Sequence, residues 1–262
     1  GANGVVLITT KKGRADKTTV TYSNNTTFSD PMMMPKFQNT YGNMTGEMMS
    51  WGLETDKRYD PANFFNTGSN VSNALSLSTG NDKSQSYISV ATTNATGIMP
   101  NNDYDRYNFS FRNTTNFLNN KFILDTSANY IIQNDKNMVS QGQYFNPLTS
   151  LYLFPRGEDF SDVAVYERYD DLSGVNTQYW PYGDLGGVSS QNPYWIMNRM
   201  NRENDRRRYK LAASLQYNII EGLNVQGRVS IDNTESKYTE KFHAGTVGNF
   251  AGPKGRYKEE NR

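Results

Sequence analysis

Apolar and polar residues alternate with a period of two in several stretches of this chain. That is the mark of a strand with one face toward an apolar medium and the other toward water. In 122–132, Phe122, Leu124, Thr126, Ala128, Tyr130 and Ile132 fall on one face, and Ile123, Asp125, Ser127, Asn129 and Ile131 on the other. In 209–219, Tyr209, Leu211, Ala213, Leu215, Tyr217 and Ile219 oppose Lys210, Ala212, Ser214, Gln216 and Asn218. In 223–231, Leu223, Val225, Gly227, Val229 and Ile231 oppose Asn224, Gln226, Arg228 and Ser230. Tyr107, Phe109, Phe111, Thr115 and Phe117 share a face of 107–117, and weaker alternation marks 18–28, 72–79 and 85–93.

The connections carry as much information as the strands. Asn119-Asn120, the region of Glu221-Gly222 and the stretch 80–84 read as short turns, while 29–71, 94–105 and 134–208 read as long links. Short and long alternate along the chain. Loops of that length are uncommon in a compact soluble domain, whereas outer-membrane barrels pair short turns at one rim with long loops at the other. Tyr209 and Tyr217 share a face eight residues apart. That separation is about 26 Å along a strand, or roughly 20 Å of height at a tilt of about 40°, close to the apolar band between two aromatic girdles. The fold expected is all-β, part of a large antiparallel transmembrane barrel. A secreted β-sandwich that binds glycans through aromatic loops is the alternative left open.

Composition supports long alternating strands. Hydrophobic residues are 35% of the chain, yet there are 18 Tyr and 13 Phe. A disordered chain would be poor in aromatics. The net charge of +1 gives no field for nucleic acid, and the lack of Cys excludes a disulfide framework. No run of about twenty apolar residues exists to form a spanning helix, and no signal peptide is visible.

The opening GANGVVLITTKKG, residues 1–13, reads as a strand between a glycine-rich turn and a basic turn, with no earlier strand to pair with. It resembles the end of the plug domain in TonB-dependent outer-membrane receptors of the SusC/RagA type. Later stretches are similar to that family in order and spacing across nearly the whole chain. They are Pro35-Lys36-Phe37-Gln38-Asn39 with Tyr41-Gly42, Ser50-Trp51-Gly52, Asn63-Phe64-Phe65-Asn66-Thr67-Gly68 and Leu75-Ser76-Leu77-Ser78-Thr79-Gly80-Asn81. Gly97-Ile98-Met99-Pro100-Asn101-Asn102-Asp103-Tyr104, Asn146-Pro147, Leu151-Tyr152-Leu153-Phe154-Pro155-Arg156 and Asn192-Pro193-Tyr194-Trp195 complete the set.

The resemblance implies a division into 1–13, the last plug strand, and 14–262, the first part of a barrel. It also implies about seven strands here of about 22 in a plugged transporter. Gly1, Asn3, Gly4, Lys11, Lys12 and Gly13 would form the plug-to-barrel junction. The function implied is energised import of oligosaccharides or peptides across the outer membrane of a Gram-negative cell. A SusD-like surface lipoprotein would serve as partner, and the TonB energy-transducing complex would act through a missing N-terminal part. Loops 29–71 and 134–208 would meet lipoprotein and substrate.

Catalytic chemistry finds little support. His243 is the only histidine and follows the last clear strand, so a His-based relay has no second candidate. Glu158-Asp159, Asp170-Asp171 and Glu259-Glu260 read as solvated loop carboxylates, and no phosphate-binding motif occurs. No enzyme, cofactor or metal is expected. Arg206-Arg207-Arg208, read as sitting just before a strand, is either a solvated strand start or a contact for anionic groups of the outer leaflet. The longest loop gathers Tyr179, Trp180, Tyr182, Tyr194 and Trp195. These rings are candidates for substrate binding, with a hydrophobic mini-core that folds the loop onto the barrel mouth as the competing role.

Overall fold

Each alternating stretch forms a strand, and most run past the point where the alternation stops. The protein is represented by a computed structural model that describes residues 13, 16–182 and 190–262. In chain order the strands are β1 (Thr19–Ser29), β2 (Gly68–Gly80), β3 (Ser84–Thr96), β4 (Asp103–Phe117), β5 (Phe122–Lys136), β6 (Glu167–Asp170), β7 (Val175–Gln178), β8 (Met200–Ile220), β9 (Leu223–Phe242) and β10 (Arg256–Asn261). β6 and β7 pair only with each other, and the rest form one eight-stranded antiparallel sheet in the order β1-β2-β3-β4-β5-β8-β9-β10. The sheet is open, with β1 and β10 at its edges. Among the described residues, three short α-helices, α1 (Pro147–Tyr152), α2 (Pro193–Arg199) and α3 (Gly248–Ala251), and two 3-10 turns, Pro61–Phe64 and Phe160–Val163, lie in the links. Among the described residues no helix is long and apolar enough to cross a membrane.

Three expectations need correction. The link 94–105 is not long: Asn94 to Thr96 and Asp103 to Asp105 pair across β3 and β4, leaving only 97–102 between them. Arg206-Arg207-Arg208 lies inside β8, not before it. An eighth strand, β10, joins the sheet beyond β9. The last two share a cause. Asn201 to Arg208 and Arg256 to Asn261 carry polar and charged groups on both faces, so they are strands without hydrophobic alternation.

One face of the sheet is an apolar band. Tyr22, Leu75, Val90, Phe109, Tyr130 and Tyr209 are successive partners across six strands. One row nearer the short turns run Val20, Leu77, Ile88, Phe111, Ala128, Leu211 and Ile231. Phe117, Phe122, Tyr217 and Val225 form a lower row beside the turns, with Phe122 and Tyr217 stacked at 4.6 Å. Among the described residues no second sheet covers this face: Phe111 is 42% exposed, Leu211 47% and Val229 72%. The sandwich alternative required such a cover. The opposite face is polar. Arg112 pairs with Asp125 at 2.7 Å, Ser110 donates to Asn129 at 2.8 Å, and Asp232 pairs with Arg208 at 2.6 Å and Lys210 at 3.1 Å.

The antiparallel meander places the short turns 81–83, 118–121 and 221–222 at one end and the longer links at the other. Gly13 lies at the short-turn end, where a Cβ would stand 2.5 Å from the Ser86 nitrogen. Only glycine lets the chain lie that close to β3. Gly1, Asn3, Gly4, Lys11 and Lys12 lie outside the described residues. In the 118–121 turn, Leu118, Asn119 and Asn120 all have left-handed backbones, φ 48°, 54° and 64°. The turn is held where the Asn218 side chain donates to the Asn120 carbonyl at 2.8 Å. Asparagine tolerates that conformation, but leucine pays about 1–2 kcal/mol for it. Leu118 is 70% exposed, so removing its side chain forfeits little packing. Leu118→Gly should therefore raise stability by up to about 1 kcal/mol, read as a higher unfolding midpoint; an unchanged or lower midpoint would contradict the strain.

Candidate functional site: the aromatic loop assembly

The hydrophobic core of this protein is built from its loops. Leu151, Val163 and Trp195 are fully enclosed and Phe154 and Phe64 nearly so, joined by Tyr59, Met99, Ile196 and Met197 and by Met200 and Phe242 at the top of β8 and β9. A recurring local device makes these loops fold. Asp60-Pro61, Asn146-Pro147 and Asn192-Pro193 each place an Asx residue at an N-cap and proline in the first turn, where its missing N–H costs nothing. Asp60 accepts from the Ala62 N–H at 2.9 Å and Asn146 from that of Leu148 at 3.0 Å. Asn192 accepts from Tyr194 at 2.8 Å and donates to the carbonyls of Val163 and Tyr179 at 2.8 and 2.9 Å. One buried amide thus joins α2 to two distant loop segments.

Other polar side chains fasten this assembly to the sheet. Asn137, just past β5, donates to the carbonyls of Asn101 and Met197 and accepts from the Arg202 N–H at 2.9 Å. Asn102 donates to the carbonyls of Lys136 and Asn137. Tyr59 donates to the Leu151 carbonyl at 2.6 Å, and burial pushes its hydroxyl pKa well up. The Arg156 guanidinium sits between the rings of Phe37 and Tyr59, at 4.4 and 4.7 Å, and burial lowers its pKa. Gln38 organises the first long loop by accepting from Thr40 and Tyr41 and donating to the Ser50 carbonyl at 2.7 Å.

The five nominated rings part company here. Trp195 is fully buried and donates to the Thr246 hydroxyl at 3.0 Å, so its ring serves the core and presents no surface. Tyr194 is half-buried and meets Phe64 edge-on at 4.9 Å. Trp180 donates to Ser190 at 2.7 Å and packs edge-on to Tyr182 at 5.1 Å, and Tyr182 in turn rests against Phe154 at 5.2 Å. Tyr179 lies 3.3 Å under the Arg168 guanidinium. Tyr179, Trp180, Tyr182 and Tyr194 all keep part of their surface open. Trp51, not nominated from sequence, is 75% exposed and neighbours Leu53 at 86% and Met49 at 66%. An isolated tryptophan in a polar loop gives no periodic signal. His243 is exposed at the start of the link after β9, with its backbone N–H on the Arg199 carbonyl.

The chain's fold matches chains of a known transporter. Over 92% of its length it superposes on a chain of the RagAB peptide importer in the closed-closed state, with a TM-score of 0.64 and 15% identity. It matches the same importer in the open-open state with a TM-score of 0.56 and 13% identity over 89% of this chain. A further structure of the RagAB peptide transporter gives 0.59 and 13%. The chain spans about a third of each of those chains, 31% and 30% in the first two. No family model and no curated protein matches it.

Two outcomes follow for the loop assembly. Asn192→Ala removes a helix cap, about 1 kcal/mol, and strands buried carbonyls at about 1–3 kcal/mol. It should raise hydrogen exchange in α2 and around Tyr179, with the β2–β3 hairpin unchanged; protection preserved in α2 would refute this role. The second outcome is pH-dependent. Arg199 grips Glu167 at 2.7 and 2.9 Å, and that hydrogen bond holds the carboxyl below its ordinary 4.5. Partial loss of water contact around the ring, then the Arg199 charge, lowers His243 below its ordinary 6.5. Both groups bind fewer protons folded than unfolded, so their stabilisation is present at high pH and lost on acidification. Loss begins below 6.5 for His243 and below 4.5 for Glu167. Limited proteolysis of the 137–199 loop should accelerate as pH falls through this range, and slower cleavage at low pH would contradict the assignment.

Proposed function

We propose that the chain forms part of the wall and mouth of an outer-membrane importer of the SusC/RagA type. The observation that carries this reading is the apolar band left uncovered on one face of the sheet, backed by a polar face and crowned at one end by a folded loop assembly. Lipid would cover the band, and the polar face would look into a lumen. The importer fold of the structural neighbours supports it. Closure at about 22 strands would come from strands beyond β1 and β10.

In this reading 1–13 is the last plug strand, and Gly13 permits its close passage at the short-turn end of β3. The TonB energy-transducing complex would act through the plug, and a SusD-like lipoprotein would close over the loops. The cargo is an oligopeptide or an oligosaccharide, and it would meet the open faces of Tyr179, Trp180, Tyr182, Tyr194 and Trp51. Flat, partly exposed rings suit both apolar side chains and sugar faces. The chemistry is binding and conformational change, with no covalent step.

The test places one arginine on each face of the full-length protein folded into lipid bilayers. Leu211→Arg, in the middle of the apolar band, should cost about 2–4 kcal/mol, whereas Ser230→Arg on the opposite face should be nearly neutral. The reverse order would defeat the proposal. Uptake of labelled peptide and of labelled oligosaccharide, each measured with and without Trp180→Ala, then distinguishes the cargo.

A further inference from the structure

The polar face of the sheet is unevenly charged. The register places Arg106, Arg112, Arg206, Arg208, Lys210 and Arg228 on it, across β4, β8 and β9. From the row of Arg106 down to that of Arg228, the carboxylates on this face of β4 to β9 are Asp125 and Asp232. Asp125 is taken by Arg112 at 2.7 Å, and Asp232 is shared by Arg208 at 2.6 Å and Lys210 at 3.1 Å. Asp135, one row nearer the loops, accepts from the Asn204 amide at 3.1 Å and the Gln133 amide at 3.4 Å. Among the described residues no ion pair engages Arg106, Arg206 or Arg228, and Arg206 donates to the Ser236 hydroxyl at 3.3 Å. The face of the apolar band has the opposite bias at this height. In its rows from Asp103 to Tyr107, Asp103, Asp105, Glu203, Asp205 and Glu235 outnumber Lys136, Arg207 and Lys237 on β4 to β9. The net charge of +1 thus hides a sorting of charge across the sheet.

Two of the free cations share one row. Arg106 on β4 and Arg206 on β8 flank Gln133 on β5, two strand spacings or about 10 Å apart. Both are exposed. Arg208 and Lys210 continue the charge down β8, with one carboxylate, that of Asp232, between them. The row lies near the loop end of the sheet. Arg206 is three residues nearer the loops than Tyr209, about 10 Å along the strand. Gly13 lies at the other end, beside Ser86, whose β4 partner Asn113 is seven residues or about 23 Å from Arg106. A guanidinium is a planar fork that matches a carboxylate, and a surface of one sign concentrates ligands of the other.

We propose that Arg106 and Arg206, backed by Arg208 and Lys210, form a shelf that binds the carboxylates of an acidic oligomeric cargo. The site rests on the importer reading, in which this face lines the lumen, and it narrows the cargo to anionic members. The excess of cations over carboxylates selects an anionic occupant. The place of the shelf, at the loop end and far from Gly13, selects a ligand entering past the loops over the plug. The shared chemistry is a chain of carboxylates, carried by an acidic peptide or by a uronic-acid oligosaccharide.

The experiment measures binding of labelled oligomers to the full-length protein in detergent by fluorescence anisotropy. The probes are hexaglutamate and hexaglutamine, and an oligogalacturonate and its fully methyl-esterified form. Wild type should prefer the acidic member of at least one pair, and added salt should weaken that member alone. The tighter of the two acidic probes names the source of the carboxylates. Arg106→Gln and Arg206→Gln should each weaken the acidic member roughly threefold, the effect of one exposed ion pair, and leave its neutral counterpart unchanged. Arg106→Lys, which keeps the charge, should retain most of the binding. Arg207→Gln, on the other face, should bind as wild type. No preference for either acidic member, or equal loss in Arg206→Gln and Arg207→Gln, overturns the site. So does a double Arg106→Gln, Arg206→Gln variant that binds as wild type and instead raises hydrogen exchange in the plug, which would give the shelf to the plug. Leu211→Trp keeps the two readings apart. Quenching of its fluorescence by brominated lipid upholds the membrane reading even if the shelf proves indifferent to charge, and no quenching removes the reading on which the site rests.

Discussion

The constraint on which this structure depends is that a sheet must satisfy every backbone hydrogen bond while presenting two opposite surfaces. Period-two alternation lets one ladder do both. The N–H and C=O groups are spent between strands, so the side chains alone decide what each face can touch. Here the register carries rows such as Tyr22–Leu75–Val90–Phe109–Tyr130–Tyr209 unbroken across six strands. A slip of one residue in β4 or β5 would put Arg112 or Asp125 on that face. Those two are instead paired with each other on the opposite face.

With its apolar band left exposed, the sheet has no conventional core, and the buried residues gather in the loops. That inversion explains the loops' chemistry. A long link can fold only if its own backbone groups are satisfied, and here amide side chains do that work. Asn192, Asn137, Asn102 and Gln38 each bind two or more backbone groups. The Asx-Pro pairs start the short helices that carry Leu151, Trp195 and Ile196 into the centre. The abundance of asparagine and tyrosine, which lowers the hydrophobic fraction of the chain, thus has two separate uses: amides brace loops, and tyrosines edge the band.

Legibility in the sequence followed local physics. Where one face met an apolar surface and the other did not, as in 122–132 and 209–219, the strand was readable residue by residue. Where both faces were polar, as in Asn201 to Arg208 and in β10, no alternation existed to read. The aromatic loop cluster was visible as composition, and its alternative roles could be weighed. The separation of enclosed Trp195 from half-open Tyr179, Trp180, Tyr182 and Tyr194 depends on partners far off in the chain, such as Thr246, Arg168 and Phe154. Asn137 and Arg156 gave no warning, because a lone polar residue looks the same whether it braces a core or faces water.

The amino-acid sequence by itself determined which faces the strands have, where the short turns fall and that the chain is all-β, because these follow from spacing between near neighbours. The tertiary structure alone decided which aromatic rings stay open, that the core lies in the loops, and that of three consecutive arginines only Arg207 shares the face of the apolar band. Those outcomes depend on strand register and on contacts between residues tens of positions apart, which no local pattern encodes.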